Sequence, residues 1–210
     1  MKVLLLHAWP LHERMWEREL ALLADAGFEA EAPRLYGRGP SIDGWAAQLL
    51  RESEDPLVPV GASMGGYCAL ALARRAPERI LGMVLAGSRA DADSWDRRRA
   101  RELQIAELRA GDAPPPVLPS DPTLEDLVIA QEAMRDRLDL RGVVSSFGGP
   151  LLVCIGDRDD VVSVEEAQGI ADSALQGTLE VFTDAGHFLT TDQPERFGVV
   201  LLDFLSQWRT

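Results

Sequence analysis

The sequence predicts an α/β fold: a doubly wound, mostly parallel sheet of about six strands with a small helical cap. Three observations lead there. Six short apolar runs alternate with stretches of helical periodicity, the pattern of a parallel sheet covered by helices on both faces. The first run, Val3-Leu4-Leu5-Leu6, is continuously apolar, as in a strand buried on both sides. One stretch, residues 89–149, offers helices but no strand, as an insertion lying over one end of the sheet would. The expected organisation is a core of residues 1–88 and 150–210 with residues 89–149 inserted.

Each element has its own signal. After the strand at 3–6, Trp16, Leu20 and Leu23 recur at i, i+4 and i+7, a helix face that stops at Gly27. Residues 28–32 form a weak strand closed by Pro33, and residues 36–41 form a loop by composition. A helix follows at 42–51, a strand at 57–60, and a helix to about Arg75 closed by Pro77. The fourth strand is read at 80–86. The insertion opens with a helix at 95–110, breaks at Asp112-Ala113-Pro114-Pro115-Pro116, and continues in a helix capped by Asp121-Pro122 and running to about Leu140. Strands at 151–155 and 178–182 bracket a helix opened by the capping-box pattern Ser163-Val164-Glu165-Glu166. Phe197, Val200, Leu201, Phe204, Leu205 and Trp208 give the last helix its apolar face.

Composition narrows the function classes. The 210 residues suit one medium domain with a real core. A net charge of -13 repels nucleic acid and anionic membranes, so the expected partner is a small-molecule substrate, with no nucleic acid and no membrane. Nothing in the sequence points to an oligomeric state. Cys68 and Cys154 lie inside apolar runs and read as buried, reduced side chains; Cys68 has little claim as a nucleophile. No Cys/His cluster has zinc spacing, so no metal is expected. The first apolar run is too short for a signal peptide and no run is long enough to cross a membrane, which makes a cytoplasmic location the expectation.

The chemistry centres on Gly61-Ala62-Ser63-Met64-Gly65-Gly66, between a strand and a helix. A plain strand-to-helix turn does not need a serine set between glycines. Glycines permit a strained turn, and the helix N-terminus supplies free N–H groups and a favourable dipole for a developing anion. That arrangement suits an acyl-transfer nucleophile, whose hydroxyl needs a base. Of three histidines, His187 is the best candidate: it follows the sixth strand in Asp184-Ala185-Gly186-His187-Phe188, at the same end of the sheet as Ser63. An acid to orient it is offered by Gly156-Asp157-Arg158-Asp159-Asp160, after the fifth strand.

These motifs, in this order, resemble the α/β-hydrolase superfamily, and the likeness runs nearly end to end. The family's nucleophile elbow matches residues 61–65, its Gly-x-x-Asp motif matches residues 156–159, and its Gly-His loop matches Gly186-His187. The resemblance implies a catalytic triad of Ser63, Asp159 and His187, with Asp157, Asp160, Asp91 and Asp93 as rival acids. His7-Ala8-Trp9-Pro10 resembles the family's oxyanion loop, which implies that the backbone N–H groups of Trp9 and Met64 form the oxyanion hole. It also implies a cap domain at residues 89–149 and a sheet lacking the family's N-terminal antiparallel hairpin. The family usually has glycine where this chain has Ala8, a position that would be strained if it required φ > 0.

The implied activity is hydrolysis of a small carboxylic ester, thioester or lactone through an acyl-enzyme on Ser63, with no cofactor and a mostly apolar acyl pocket. The alternatives are a carbon–carbon bond hydrolase or perhydrolase with the same triad, and a catalytically weak ligand-binding module on this scaffold. His7 reads as a structural anchor for its loop and His12 as a surface residue. The run Trp95-Asp96-Arg97-Arg98-Arg99-Ala100-Arg101 reads as the solvated face of a helix.

Overall fold

The computed structural model describes residues 1–111 and 122–208. Six strands form one sheet: β1 (Lys2–Leu6), β2 (Ala30–Glu31), β3 (Leu57–Ala62), β4 (Met83–Ala86), β5 (Leu151–Gly156) and β6 (Gly177–Phe182). Their order is β2-β1-β3-β4-β5-β6, and every pairing is parallel. The expected mostly parallel sheet is therefore wholly parallel among the described residues. Its helices are α1 (Glu17–Asp25), α2 (Ile42–Glu52), α3 (Met64–Arg75), α4 (Trp95–Ala110), α5 (Leu124–Arg135), α6 (Arg141–Ser146), α7 (Val164–Ser173), α8 (Leu189–Asp192) and α9 (Pro194–Ser206).

Strand alternation builds two cores. Leu4 and Leu6 of β1 pack with buried residues of α2, α3, α5 and α7, among them Trp45, Leu70, Val128 and Ala167. Val3 and Leu5 face the other way, onto Trp16, Leu23 of α1, and Phe197, Leu201 and Leu205 of α9. Each strand is thus apolar on both faces because helices cover both. Burying one such Leu or Val side chain contributes roughly 1.5–3 kcal/mol. Strand order reverses between β1 and β3, and the carboxyl ends of strands at such a switch point are where open α/β sheets bind ligands.

Some boundaries differ from expectation, each for a local reason. β4 begins at Met83: Ile80 makes only an isolated bridge to Leu57 after a 3-10 turn at Pro77–Arg79. Gly82 interrupts the run because the Trp208 indole packs where its Cβ would stand. α5 starts at Leu124, capped by a reciprocal Thr123–Asp126 box rather than by Asp121, which lies outside the described residues, as does the break at 112–116. It stops at Arg135, before the expected Leu140, whose N–H instead donates to Ala90 O. The Ser163–Glu166 capping box forms as read. The short α8 carried no sequence signal.

Glu19 is the odd member of the second core. It is 1% exposed, beside Trp16 and Leu23 on the inner face of α1, and neither carboxyl oxygen has a hydrogen-bond partner among the described residues. Burial pushes its pKa up from 4.5 to about 6, against smaller opposing effects of its own backbone and then of Arg18. A raised folded-state pKa means the neutral form is favoured by the fold. The stabilisation is complete below pH 4.5 and is lost as pH rises through about 6. Glu19→Gln should therefore match wild type near pH 4 and exceed it by on the order of 2 kcal/mol at pH 8. Urea unfolding at the two pH values measures this; equal gaps at both would refute it.

Candidate active site

Ser63 sits between β3 and α3 as the N-cap of α3, with φ 48° and ψ -109°. That conformation is strained for a residue with a side chain, by of order 1–3 kcal/mol. The surrounding packing enforces it. A Cβ on Gly61 would lie 2.4 Å from Gly65 C, and one on Gly65 would lie 2.0 Å from Leu6 O. Only glycines let β3, α3 and the end of β1 approach this closely. The Ser63 N–H donates to Ala86 O (2.8 Å), and Ser63 O accepts from Gly66 N (2.9 Å) and from Ser88 Oγ (2.9 Å). The elbow backbone is thus pinned while its side chain makes no cap bond to the helix.

That side chain meets His187. Ser63 Oγ lies 2.9 Å from His187 Nε2, and His187 Nδ1 lies 2.8 Å from Asp159 Oδ2. A carboxylate can only accept, so Nδ1 carries the proton and donates, leaving Nε2 to accept from the serine hydroxyl. Asp159 is held in turn: its Oδ1 accepts from the N–H groups of Val161 (2.8 Å) and Val162 (2.9 Å). Gly87, at φ +57°, closes the space beneath the pair; a Cβ there would stand 3.1 Å from His187 Nδ1 and 3.2 Å from Asp159 Oδ2. The loop carrying His187 is fixed by Gly186 N–H donating to Asp192 Oδ2 (2.7 Å).

The rival acids are engaged elsewhere. Asp93, buried, pairs with Arg101 and with Arg137 (2.6 Å), and Asp91 with Arg97 (3.0 Å). Neither Asp157 nor Asp160 is bonded to His187, whose Nδ1 is taken by Asp159. The arginine run on α4 is accordingly not a purely solvated face: Arg97 also reaches Glu166 (2.6 Å) and Arg101 reaches Gln131 (2.8 Å). The i, i+4 spacing turns these two arginines toward neighbouring helices. Cys68 is buried, with its thiol pushed up to about 12, which removes it as a nucleophile.

The loop after β1 is anchored by His7. Leu35 N–H donates to His7 Nε2 (3.0 Å), so the proton sits on Nδ1, 3.1 Å from Ala8 O. Burial lowers the His7 pKa to about 4, which keeps the ring neutral as this geometry requires. Ala8 is buried and lies outside the left-handed region: Ser63 and Asp184 are the non-glycine residues with positive φ among those described. The alanine therefore carries no backbone strain. Trp9 donates through Nε1 to Leu127 O on α5 (3.3 Å), and Arg34 reaches Asp126 on the same turn (3.3 Å). Met64 is the first residue of α3. His12 is not at the surface: it is buried, and its Nδ1 accepts from Arg14 N–H as the cap of a 3-10 turn.

Sequence reading missed Ser88, Gly87 and Asp192. No motif marks them, since their roles exist only once β4, β5 and the His187 loop converge. Among the described residues no three His, Cys, Asp or Glu side chains converge to hold a metal ion, and no helix is long and apolar enough to cross a membrane.

Comparison with known proteins agrees with this frame. A profile described as the alpha/beta hydrolase family matches residues 3–198. A pimeloyl-[acyl-carrier protein] methyl ester esterase of Aromatoleum aromaticum is 38% identical over 92 residues, covering 41% of this chain and 36% of that protein. The protein of the same name from Photobacterium profundum is 23% identical over 239 residues, covering 97% of this chain and 94% of its own length. Among solved structures, a thermophilic esterase from Thermogutta terrifontis aligns with a TM-score of 0.85 at 26% identity, covering 100% of this chain and 91% of that one. With the profile spanning most of the chain and a six-stranded parallel sheet flanked by helices beneath it, the chain belongs to the alpha/beta hydrolase family.

Proposed function

We propose that this protein is a serine hydrolase that cleaves a small carboxylic ester, thioester or lactone through an acyl-enzyme on Ser63. The observation that carries this reading is the continuous hydrogen-bonded line Ser63 Oγ, His187 Nε2, His187 Nδ1, Asp159 Oδ2. Ester hydrolases among its relatives support the substrate class. Ser63 attacks the carbonyl while His187 takes its proton. Asp159 holds the imidazole in the required tautomer and stabilises its cation. The N–H groups of Trp9 and Met64 receive the oxyanion; losing one such donor typically costs about a hundred- to thousandfold in rate. His187 then protonates the leaving group, and water activated by the same imidazole releases the acid. The scheme uses only protein groups and water. Residues 89–149, through α4, α5 and α6, act as the cap over the core of residues 1–88 and 150–210, and specificity resides there.

The test is a p-nitrophenyl ester series with wild-type protein, alongside a fluorophosphonate probe and mass spectrometry of the labelled peptide. Turnover with label on Ser63 is expected, with neutral acyl groups cleaved faster than charged ones. Absence of both turnover and labelling in folded protein would refute the reading.

A further inference from the structure

Ser88 is buried just past the end of β4 and lies outside the hydrogen-bonded line of Ser63, His187 and Asp159. Its Oγ stands 2.9 Å from Ser63 O and 3.3 Å from Ala86 O. A hydroxyl has one proton to give. Ala86 O already accepts the Ser63 N–H (2.8 Å), and the shorter contact is to Ser63 O, so the Ser88 hydroxyl donates there. The end of β4 therefore bonds both backbone groups of Ser63. Gly66 makes room for this: a Cβ there would stand 2.0 Å from Ser88 Oγ and 2.5 Å from Ser88 Cβ. The pattern Gly61-x-Ser63-x-Gly65 does not call for a glycine at 66; the Ser88 side chain does.

What Ser88 holds is a single peptide group. Ser63 C=O and Met64 N–H belong to the same planar trans unit, so they point in opposite directions. Met64 is the first residue of α3, where no carbonyl of the helix reaches its N–H. The direction of the unit is set by Ser63 ψ, which is -109° at φ 48°. A residue at positive φ ordinarily takes ψ of about +30 to +60°. The unit is thus held far from its resting direction, and even part of the swing back would turn the Met64 N–H away. Two donors grip its carbonyl, Gly66 N–H (2.9 Å) and the Ser88 hydroxyl. The first belongs to α3 and moves with it. The second ties the unit to the sheet.

We infer that Ser88 is a positioning residue for the oxyanion. By donating to Ser63 O it fixes the direction of the Met64 N–H. It also polarises the shared peptide and so strengthens that N–H as a donor, each bond in such a chain gaining of order 10–30%. The inference rests on the serine hydrolase reading above, in which the Met64 N–H receives the oxyanion. Ser88 itself touches neither substrate nor reacting atoms.

The experiment compares wild type, Ser88→Ala and Ile80→Val by steady-state kinetics on p-nitrophenyl butyrate, by Tm, and by the Ki of butyl trifluoromethyl ketone. On that ketone Ser63 Oγ bonds to the carbonyl carbon, the π pair becomes an oxyanion, and the serine proton passes to His187 Nε2. Its affinity therefore reads the oxyanion site without turnover. Ser88→Ala removes one oxygen, adds no atom, and leaves Ser63 N–H on Ala86 O, so the fold persists. It should lower kcat by about tenfold, part of the hundred- to thousandfold that a whole oxyanion donor is worth. KM should stay within a few-fold of wild type, and Ki should rise by the factor by which kcat/KM falls, as for an interaction made only in the transition state. Ile80→Val trims a buried side chain beside Leu57, at the far end of β3 and about 17 Å of strand from the elbow. It should lower Tm and leave kcat and Ki as they are. A Ser88→Ala protein that loses Tm but keeps kcat and Ki, or one whose loss is confined to KM, would overturn the inference. So would an equal loss of kcat in Ile80→Val, which would trace the effect to stability. All three outcomes leave the hydrolase reading standing. Wild-type protein that neither turns over the ester nor labels with fluorophosphonate would overturn both.

Discussion

Ser63→Ala is expected to lower kcat for p-nitrophenyl esters by about 10⁶-fold, the size of effect seen when a triad serine is removed. The reasoning is structural as well as chemical. The hydroxyl makes no cap bond to α3, and its hydrogen-bond partner is His187 Nε2, so its loss costs the fold one partly buried bond and the reaction its nucleophile. Cys68 does not substitute: it is five positions on, in the buried body of α3, with its thiol held up to about 12. The elbow backbone stays pinned through Ala86 O, Gly66 N and Ser88 Oγ, so ester binding should persist with KM changed only a few-fold. Alanine also retains the strain of φ 48°, whereas glycine would release it. Ser63→Gly should therefore melt above Ser63→Ala while being as inactive. Steady-state kinetics and thermal melts of both variants decide the matter. Alanine activity within tenfold of wild type would end the assignment of Ser63 as nucleophile.

How much of this site could be read beforehand follows from where the constraints act. Local constraints leave marks in sequence. The run Val3-Leu4-Leu5-Leu6 is apolar because helices cover both faces of β1, and Gly61-x-Ser63-x-Gly65 is spaced as it is because three backbones meet at one point. Ser163 and Glu166 bond reciprocally three residues apart, so their pattern is legible without any tertiary knowledge. Long-range constraints leave none. Ser88 matters because β4 delivers it under the elbow, and Gly87 because β5 and the His187 loop bring two side chains above it. His12 looked like a surface residue because its neighbours are polar, yet its ring caps a turn that the core then covers. The arginines of α4 looked solvated because their partners, Asp93, Gln131 and Glu166, come from up to 69 residues away. The order of the three loops that carry Ser63, Asp159 and His187 was readable; the pairing of charges along α4 was not, since a charged helix face fits many partners equally well.

The elbow makes a second large effect predictable, this time on stability. Gly65→Ala places a methyl carbon 2.0 Å from Leu6 O and 2.5 Å from Leu6 C. Both are backbone atoms of β1, fixed by parallel pairing with β3 through Leu6 and Gly61, so no side-chain rotation can relieve the contact. Either α3 lifts from the sheet or the end of β1 moves. The first displaces Ser63, and the second displaces the His7-Ala8-Trp9 loop that follows Leu6, so both routes damage the proposed reaction centre. A misplacement near 1 Å costs about a hundredfold in rate, and overpacking of this severity should cost ~3 kcal/mol or more. For a chain of this size that is a fall in Tm of about 6 °C or more. The comparison that isolates the cause is Gly169→Ala, in the middle of α7, where an added Cβ meets nothing within 4 Å and φ is not positive. There the same methyl group should raise stability by roughly 0.5–1 kcal/mol, because alanine is the better helix former. Opposite signs at the two glycines would tie the loss at Gly65 to the close approach of β1 and α3, whereas equal tolerance at both would mean that the elbow does not depend on that contact.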